Sequence, residues 1–238
     1  VTDSIADMLW TPSDDGDENL LSEGVAKERI SLVGNIMLDS YELLRPSIES
    51  AGVPKEFGLK PRSYAVVTLH RPSNVDQPDT ASHLVATLIR LSDEVPLVFA
   101  VHPRTRKNLT SFGLLDKLEA APGVHLTEPM SYIRFMSLVS EARLIITDSG
   151  GLQEETTYLN IPCVTLRPNT ERPITISQGT NRLAEPEDVA HLVDEVLAGR
   201  WSDGVRPALW DGRTAGRIVD DLARRMGVAV QSLVSTTS

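Results

Sequence analysis

Cysteine is nearly absent: one residue, Cys163, in a chain of 238. No internal disulfide can form, which suits a reducing cytoplasm. Cys163 stands in the apolar run Ile161-Pro162-Cys163-Val164-Thr165-Leu166, where a buried, inert strand residue is the plain reading. Aromatic side chains make up only 5 %, so aliphatic packing must build most of the core. Basic charge is also short, with 23 Lys and Arg against 33 Asp and Glu and a formal charge of −10. That field repels polyanions and anionic membrane surfaces, so no nucleic acid and no membrane are expected as partners. No stretch nears the ~18 apolar residues of a membrane span, and no secretory leader is recognised, so a soluble, cytoplasmic protein is expected. Also missing are a G-x-G-x-x-G after a strand, a P-loop, a G-x-S-x-G elbow and any Cys/His cluster at metal-ligand spacing. Neither a nicotinamide or flavin cofactor nor a metal is suggested.

What is present can build a core: 41 % of residues are hydrophobic and 24 % charged. The opening is odd. A helix-like stretch over 1–8 without an initiator Met, a turn at Leu9-Trp10-Thr11-Pro12 and an acidic patch over 14–18 read like the middle of a fold. A fragment or trimmed chain is the expectation. From residue 64 the pattern settles. Apolar runs predict strands over 64–69, 97–101, 124–127, 144–147 and 163–166. Helical spacing predicts helices over 80–94, 106–120, 131–141, 152–159 and 186–197, the last with Pro186 in its first turn and Gly199 beyond its end. Strand–helix alternation with short connections implies an α/β fold with a Rossmann-like, three-layer parallel sheet covered on both faces. Ligands of such sheets sit beyond the carboxyl ends of the strands.

Three strand ends carry unusual chemistry. Asp148-Ser149-Gly150-Gly151-Leu152-Gln153-Glu154-Glu155 follows the strand at 144–147. Ser149 is a natural N-cap, and two glycines let backbone N–H groups approach an anion at a helix N-terminus. Glu155, one turn further in, suits a ribose diol, while Glu154 reads as a solvated helix face. Cradle plus offset acid describes a nucleoside diphosphate; the plain alternative is a Gly-containing turn with a charged face. Arg167-Pro168-Asn169-Thr170-Glu171-Arg172-Pro173 follows the strand at 163–166. Its two arginines suit phosphate oxygens, with Glu171 orienting Arg172, or else form a surface ion pair. His70-Arg71-Pro72-Ser73-Asn74 ends the first strand and is echoed by His102-Pro103-Arg104. A histidine there can donate a charge-assisted hydrogen bond to a leaving diphosphate. His83, His125 and His191 read as structural.

Together, Thr68-Leu69-His70-Arg71-Pro72-Ser73-Asn74, Val101-His102-Pro103, the Ser-Gly-Gly-x-Gln-Glu-Glu run and Thr170-Glu171-Arg172-Pro173 resemble the non-hydrolysing UDP-N-acetylglucosamine 2-epimerase family. Asn19 to Gly24 with Leu32-Val33-Gly34-Asn35 looks like the family's last N-domain elements, and Trp210-Asp211-Gly212 with Ala215 and Arg217-Ile218 like its C-terminal helix. The resemblance implies the C-terminal half of a GT-B fold. The expected domains are an N-terminal-domain remnant and linker over 1–39, a Rossmann-like UDP-sugar-binding domain over 40–205, and a C-terminal helix and tail over 206–238. It implies an isomerase of cell-surface polysaccharide biosynthesis, working as a homodimer without cofactor. UDP is eliminated from UDP-GlcNAc to give a 2-acetamidoglucal and added back with C2 protonated from the other face. His70 would assist UDP departure. Ser149, Gly150 and Gly151 would hold phosphate, Arg172 the diphosphate and Glu155 the ribose, while Phe135 would lie beside the uracil with Tyr132 and Met130 nearby. Arg71 and His102 match positions that contact a second, activating UDP-GlcNAc in some members. The family's proton-moving carboxylates lie upstream of Val1, so this chain alone is expected to be inactive. Pro72-Ser73-Asn74 departs from the common Arg-Glu-Asn. A hydrolysing 2-epimerase, a GT-B glycosyltransferase donor domain and a non-catalytic UDP-sugar-binding module remain alternatives.

Overall fold

A computed structural model describes residues 2–228. Among them are the strands β1 (Leu9–Thr11), β2 (Ile30–Leu32), β3 (Ala65–Thr68), β4 (Leu97–Ala100), β5 (Val124–Thr127), β6 (Leu144–Thr147), β7 (Cys163–Leu166) and β8 (Asn181–Ala184). The chain divides into two compact units, one of Leu44–Arg206 and one of Val1–Leu43 with Pro207–Ser238.

In the larger unit β3 to β8 form one wholly parallel sheet in the order β5-β4-β3-β6-β7-β8. Every residue of β4, β6 and β7 is buried, whereas the outermost β5 and β8 are only partly so. Continuous apolar strands need cover on both faces, and helices such as Pro78–Ser92, Gly150–Leu159 and Val189–Leu197 alternate with them. Leu84, Leu88 and Leu91 of the first helix join Val67, Leu97 and Phe99 in the core.

Chain order fixes where a ligand crevice falls. β3, β4 and β5 are laid down in one direction; the chain then returns past β3 to β6 and continues the other way. The reversal lies between β3 and β6, and a doubly wound sheet opens its crevice beyond the carboxyl ends there. Leu69-His70-Arg71 follows β3 and Asp148-Ser149-Gly150 follows β6.

Several expectations shift. The helix predicted over 106–120 is two, Pro103–Ser111 and Leu115–Glu119, because Gly113 takes φ +67° between them. The helix predicted over 186–197 opens as a 3-10 turn, Pro186–Asp188, closed by a reciprocal Glu185/Asp188 capping box. β8 was not predicted: Asn181-Arg182-Leu183-Ala184 carries no apolar run.

In the smaller unit β1 pairs with β2 in parallel, Trp10 opposite Ser31. Leu9-Trp10-Thr11 is therefore a strand and not the expected turn; three residues are too few to show a period. The helix-like start is the short helix Thr2–Ile5, Val1 lying outside the described residues. The acidic patch opens the helix Asp14–Ser22, where carboxylates suit the positive end of the helix dipole. Trp210 is buried and donates its indole N–H to Pro12 O at 2.8 Å, and Arg217 donates from Nε to Val33 O at 2.6 Å. Those bonds join the Thr214–Met226 helix region to the first segment. The tail, 229–238, lies outside the described residues.

Candidate functional site

The carboxyl ends of β3 and β6 meet at one buried carboxylate. Asp148 is fully buried and accepts from the backbone N–H of His70 (2.9 and 3.1 Å), the backbone N–H of Arg71 (2.8 Å) and Asn74 Nδ2 (3.0 Å). His70 Nδ1 lies 2.9 Å from its Oδ1. Burial pushes the Asp148 carboxyl up. Hydrogen bonds from the His70 ring, Asn74 and the two backbone N–H groups outweigh that and hold it below the usual carboxylate range. Asn74 also donates to Leu166 O at 3.0 Å, tying the end of β7 into the same junction.

Beyond Asp148 the helix Gly150–Leu159 begins, and its first N–H groups have no carbonyl one turn back to bond. Ser149 occupies the N-cap position, yet its side chain makes no capping hydrogen bond; its backbone N–H donates to Thr147 Oγ1 at 3.0 Å. Over this start lie two guanidinium groups. A Cβ placed on Gly150 would stand 2.8 Å from Arg172 Nη1 and 3.7 Å from Arg167 Nη1, so glycine leaves the room the arginine uses. At Gly151 a Cβ would meet no chain atom within 4 Å. A helix N-terminus with two arginines above it offers N–H donors to an anion, although each guanidinium is also paired with a carboxylate.

The carboxylates around those arginines differ from expectation. Glu154 is not a solvated face: it is buried, with Oε2 3.1 Å from Arg172 Nε. Glu171 does not chiefly orient Arg172. It grips Arg167 with both oxygens at 2.9 and 2.6 Å and lies 3.6 Å from Arg172, and the Arg167 hydrogen bond holds its carboxyl down to about 2. The loop bearing Arg172 is anchored from beneath. Gln153, fully buried, accepts from Thr170 Oγ1 (2.7 Å) and Asn181 Nδ2 (3.1 Å), and Thr170 Oγ1 accepts the Arg172 backbone N–H (3.0 Å).

Glu155 lies one turn into the helix, 8 % exposed, and accepts from the Tyr132 hydroxyl at 2.8 Å. Burial pushes its carboxyl up to about 7, with the neighbouring Glu154 adding to the rise and the Tyr132 hydrogen bond opposing it. Tyr132 opens the helix Tyr132–Ser140, on which Phe135 is half-buried while Leu138 and Val139 are fully buried. On the other side of Asp148, the His102 ring is 5.8 Å from that of His70, tilted by 40°. His102 Nδ1 accepts the Arg104 backbone N–H at 3.2 Å and caps the helix Pro103–Ser111. Arg71 is exposed. His70, His102, Ser149, Gly150, Gly151, Glu155 and Arg172 thus share one edge of the sheet. Phe135 joins them through the Tyr132 helix. Asp148, Asn74 and Gln153, given no role from sequence, hold the arrangement together. Cys163 is buried, its thiol pushed up to about 11 by burial, as expected of an inert strand residue. Among the described residues no cluster of His, Cys, Asp and Glu could hold a metal ion, and no helix is long and apolar enough to cross a membrane.

Known proteins share this architecture. The chain is 41 % identical, over 83 % of its length, to the UDP-N-acetylglucosamine 2-epimerase of Methanococcus maripaludis, spanning 56 % of that protein. It is 33 % identical, over 77 % of its length, to the UDP-2,3-diacetamido-2,3-dideoxy-D-glucuronate 2-epimerase of Pseudomonas aeruginosa, spanning 50 % of it. It is also similar to the crystal structure of Methanocaldococcus jannaschii UDP-GlcNAc 2-epimerase in complex with UDP-GlcNAc and UDP. There the TM-score is 0.81 at 35 % identity, covering 94 % of this chain and 62 % of that one. The chain therefore spans about half the length of the curated relatives it matches. The family model of UDP-N-acetylglucosamine 2-epimerase matches residues 1–223, and the chain belongs to that family.

Proposed function

We propose that the intact protein is a non-hydrolysing UDP-N-acetylglucosamine 2-epimerase and that this chain supplies its UDP-sugar-binding half. The observation that carries the reading is the start of the Gly150–Leu159 helix. Its N–H groups, the Arg172 guanidinium above Gly150 and the inner acid Glu155 match, in order, a diphosphate and the ribose next to it. In this reading Ser149, Gly150 and Gly151 hold phosphate and Arg172 spans the diphosphate. Glu155 accepts from the ribose diol, and Phe135 lies beside the uracil. His70 donates from Nε2 to the leaving UDP as the C1–O bond breaks and C2 loses its proton, giving a 2-acetamidoglucal. Return of UDP to C1 with protonation of C2 from the opposite face completes the epimerisation. The carboxylates that move the C2 proton belong to sequence upstream of Val1. Residues 1–39 are then the end of an N-terminal domain with its linker, 40–205 the nucleotide-sugar domain, and 206–238 a closing helix and tail.

The same reading carries three further parts: a homodimer, a cytoplasmic place in cell-surface polysaccharide synthesis, and a second, activating UDP-GlcNAc held by Arg71 and His102. Relatives bear the names of two different sugars, so both are tested as substrates. The test is incubation of the protein, with its upstream residues present, with UDP-GlcNAc in heavy water. Deuterium at C2 in both epimers is expected. Protium retained throughout refutes the reading, and free sugar with UDP among the products would make it a hydrolysing enzyme. The 238-residue chain alone is expected to give no turnover.

A further inference from the structure

A carboxylate can only accept hydrogen bonds. With Asp148 Oδ1 2.9 Å from His70 Nδ1, that ring nitrogen must carry a proton whether the imidazole is neutral or charged. We propose that Asp148 is the positioning residue of this site. It holds the ring proton of His70 on Nδ1, so that Nε2, on the far side of the ring, is the nitrogen that takes up a second proton and, in the imidazolium, donates to a diphosphate oxygen. The proposal rests on the reading above, in which His70 faces the leaving UDP.

Three observations carry it. The acid is fully buried while the His70 side chain is 37 % exposed, so the ring reaches from a buried anchor toward the crevice. The same carboxylate accepts both backbone N–H groups of the turn that carries the ring, so ring and backbone are set by one side chain. That side chain belongs to the residue immediately before Ser149, so the spacing between the imidazole and the Gly-rich helix start does not depend on any flexible loop. The neighbouring histidine provides a contrast. His102 Nδ1 accepts an N–H, so its neutral ring must carry the proton on Nε2. Two imidazoles 5.8 Å apart are held in opposite tautomers by opposite partners.

The experiment is long-range proton–nitrogen correlation on the ¹⁵N-histidine-labelled chain, with the pH raised until the ring nitrogens report neutral imidazoles. Only five histidines contribute. His70 is expected to show a protonated Nδ1 and a bare Nε2, and His102 the reverse. Asp148→Asn, which sets an amide against the ring, should move His70 toward the Nε2-protonated form. Asn74→Ala, which leaves the carboxylate in place, should not. A wild-type His70 protonated on Nε2 overturns the proposal even if Asp148→Asn fails to fold, and so does a folded Asp148→Asn with an unchanged His70. In the intact protein Asp148→Asn should lower kcat on the order of 10²-fold with a much smaller change in KM; an unchanged kcat in a folded variant overturns the role. UDP added to the intact protein should move the His70 Nε2 signal and spare Nδ1. If UDP binds without touching either, the site reading fails and the role falls with it, whereas a wrong tautomer alone refutes only the positioning.

Discussion

Glu155→Gln tests the site through stability before any ligand is added. The wild-type carboxyl is 8 % exposed and burial pushes it from its ordinary 4.5 up to about 7. At ~1.4 kcal/mol for each tenfold in proton affinity, holding it ionised in the folded state costs about 3 kcal/mol. Below pH 4.5 the group is protonated in both folded and unfolded chains, and the cost is absent. Between 4.5 and 7 the unfolded chain releases the proton while the folded chain keeps it, so stability falls as pH rises. Above 7 the full cost applies. Glutamine keeps an acceptor for Tyr132 and has no charge to bury. In urea denaturation of the chain, the variant should therefore gain on wild type across this window, from near parity at about pH 4.5 to about 3 kcal/mol at about pH 8. Parallel pH profiles would refute the argument. UDP binding supplies the counterpart. A ribose diol needs the ionised acceptor, so wild-type affinity in the intact protein should strengthen as pH rises through about 7. The glutamine variant should bind weakly and without that dependence. More stable and less able to bind is the combination expected of a group placed for its ligand.

The remaining predictions concern the arginines and the smaller unit. Glu154→Gln removes the ion-pair partner of Arg172 Nε and should weaken UDP binding by the intact protein about tenfold, near 1.4 kcal/mol; calorimetry showing unchanged affinity would remove Glu154 from the site. Gly150→Ala forces the Arg172 guanidinium aside and should weaken UDP binding by at least as much, while alanine's better helix propensity keeps thermal stability level or raises it by about 0.5 kcal/mol. A loss of both binding and melting temperature would instead show that Gly150 serves packing. Burial pushes the Asp221 carboxyl up, but Trp10, Arg224, Ser31 and Arg225 hold it well below the usual range. Its contribution to stability is thus present above about pH 4 and lost on acidification below it, and Asp221→Asn should flatten that part of the acid-unfolding curve read by tryptophan fluorescence.

The sheet was legible because its inner strands are covered on both faces. A strand so placed has to be apolar at every position, and Leu144-Ile145-Ile146-Thr147 or Cys163-Val164-Thr165-Leu166 stands out against polar neighbours without any period. Where one face is open the signal fades. β8 at the sheet edge reads Asn-Arg-Leu-Ala and was missed, and β1 is too short to show alternation. The same logic applies at Glu154. Residues 152–158 of its helix are all buried, so no solvated face exists, and counting along the helix could not say which acid points outward. The Gly-Gly turn was visible as a helix start, but the partner of Arg172 was not.

Asp148 shows what a strand-end rule can add. Its partners lie 74 to 78 residues upstream, beyond the reach of any local pattern. Topology nevertheless narrows the choice. In a parallel sheet all carboxyl ends lie along one edge, so the first polar residue after each inner strand is driven into a volume shared with its neighbours. A charge entering that volume directly from a fully buried strand cannot stay unpaired, because an isolated buried carboxylate is far too costly. Asp148 follows β6 with no intervening residue, beside the β3 end where the strand order of the sheet reverses. It therefore had to find donors there, and the exposed N–H groups and imidazole of the β3 turn are the donors that this position makes available.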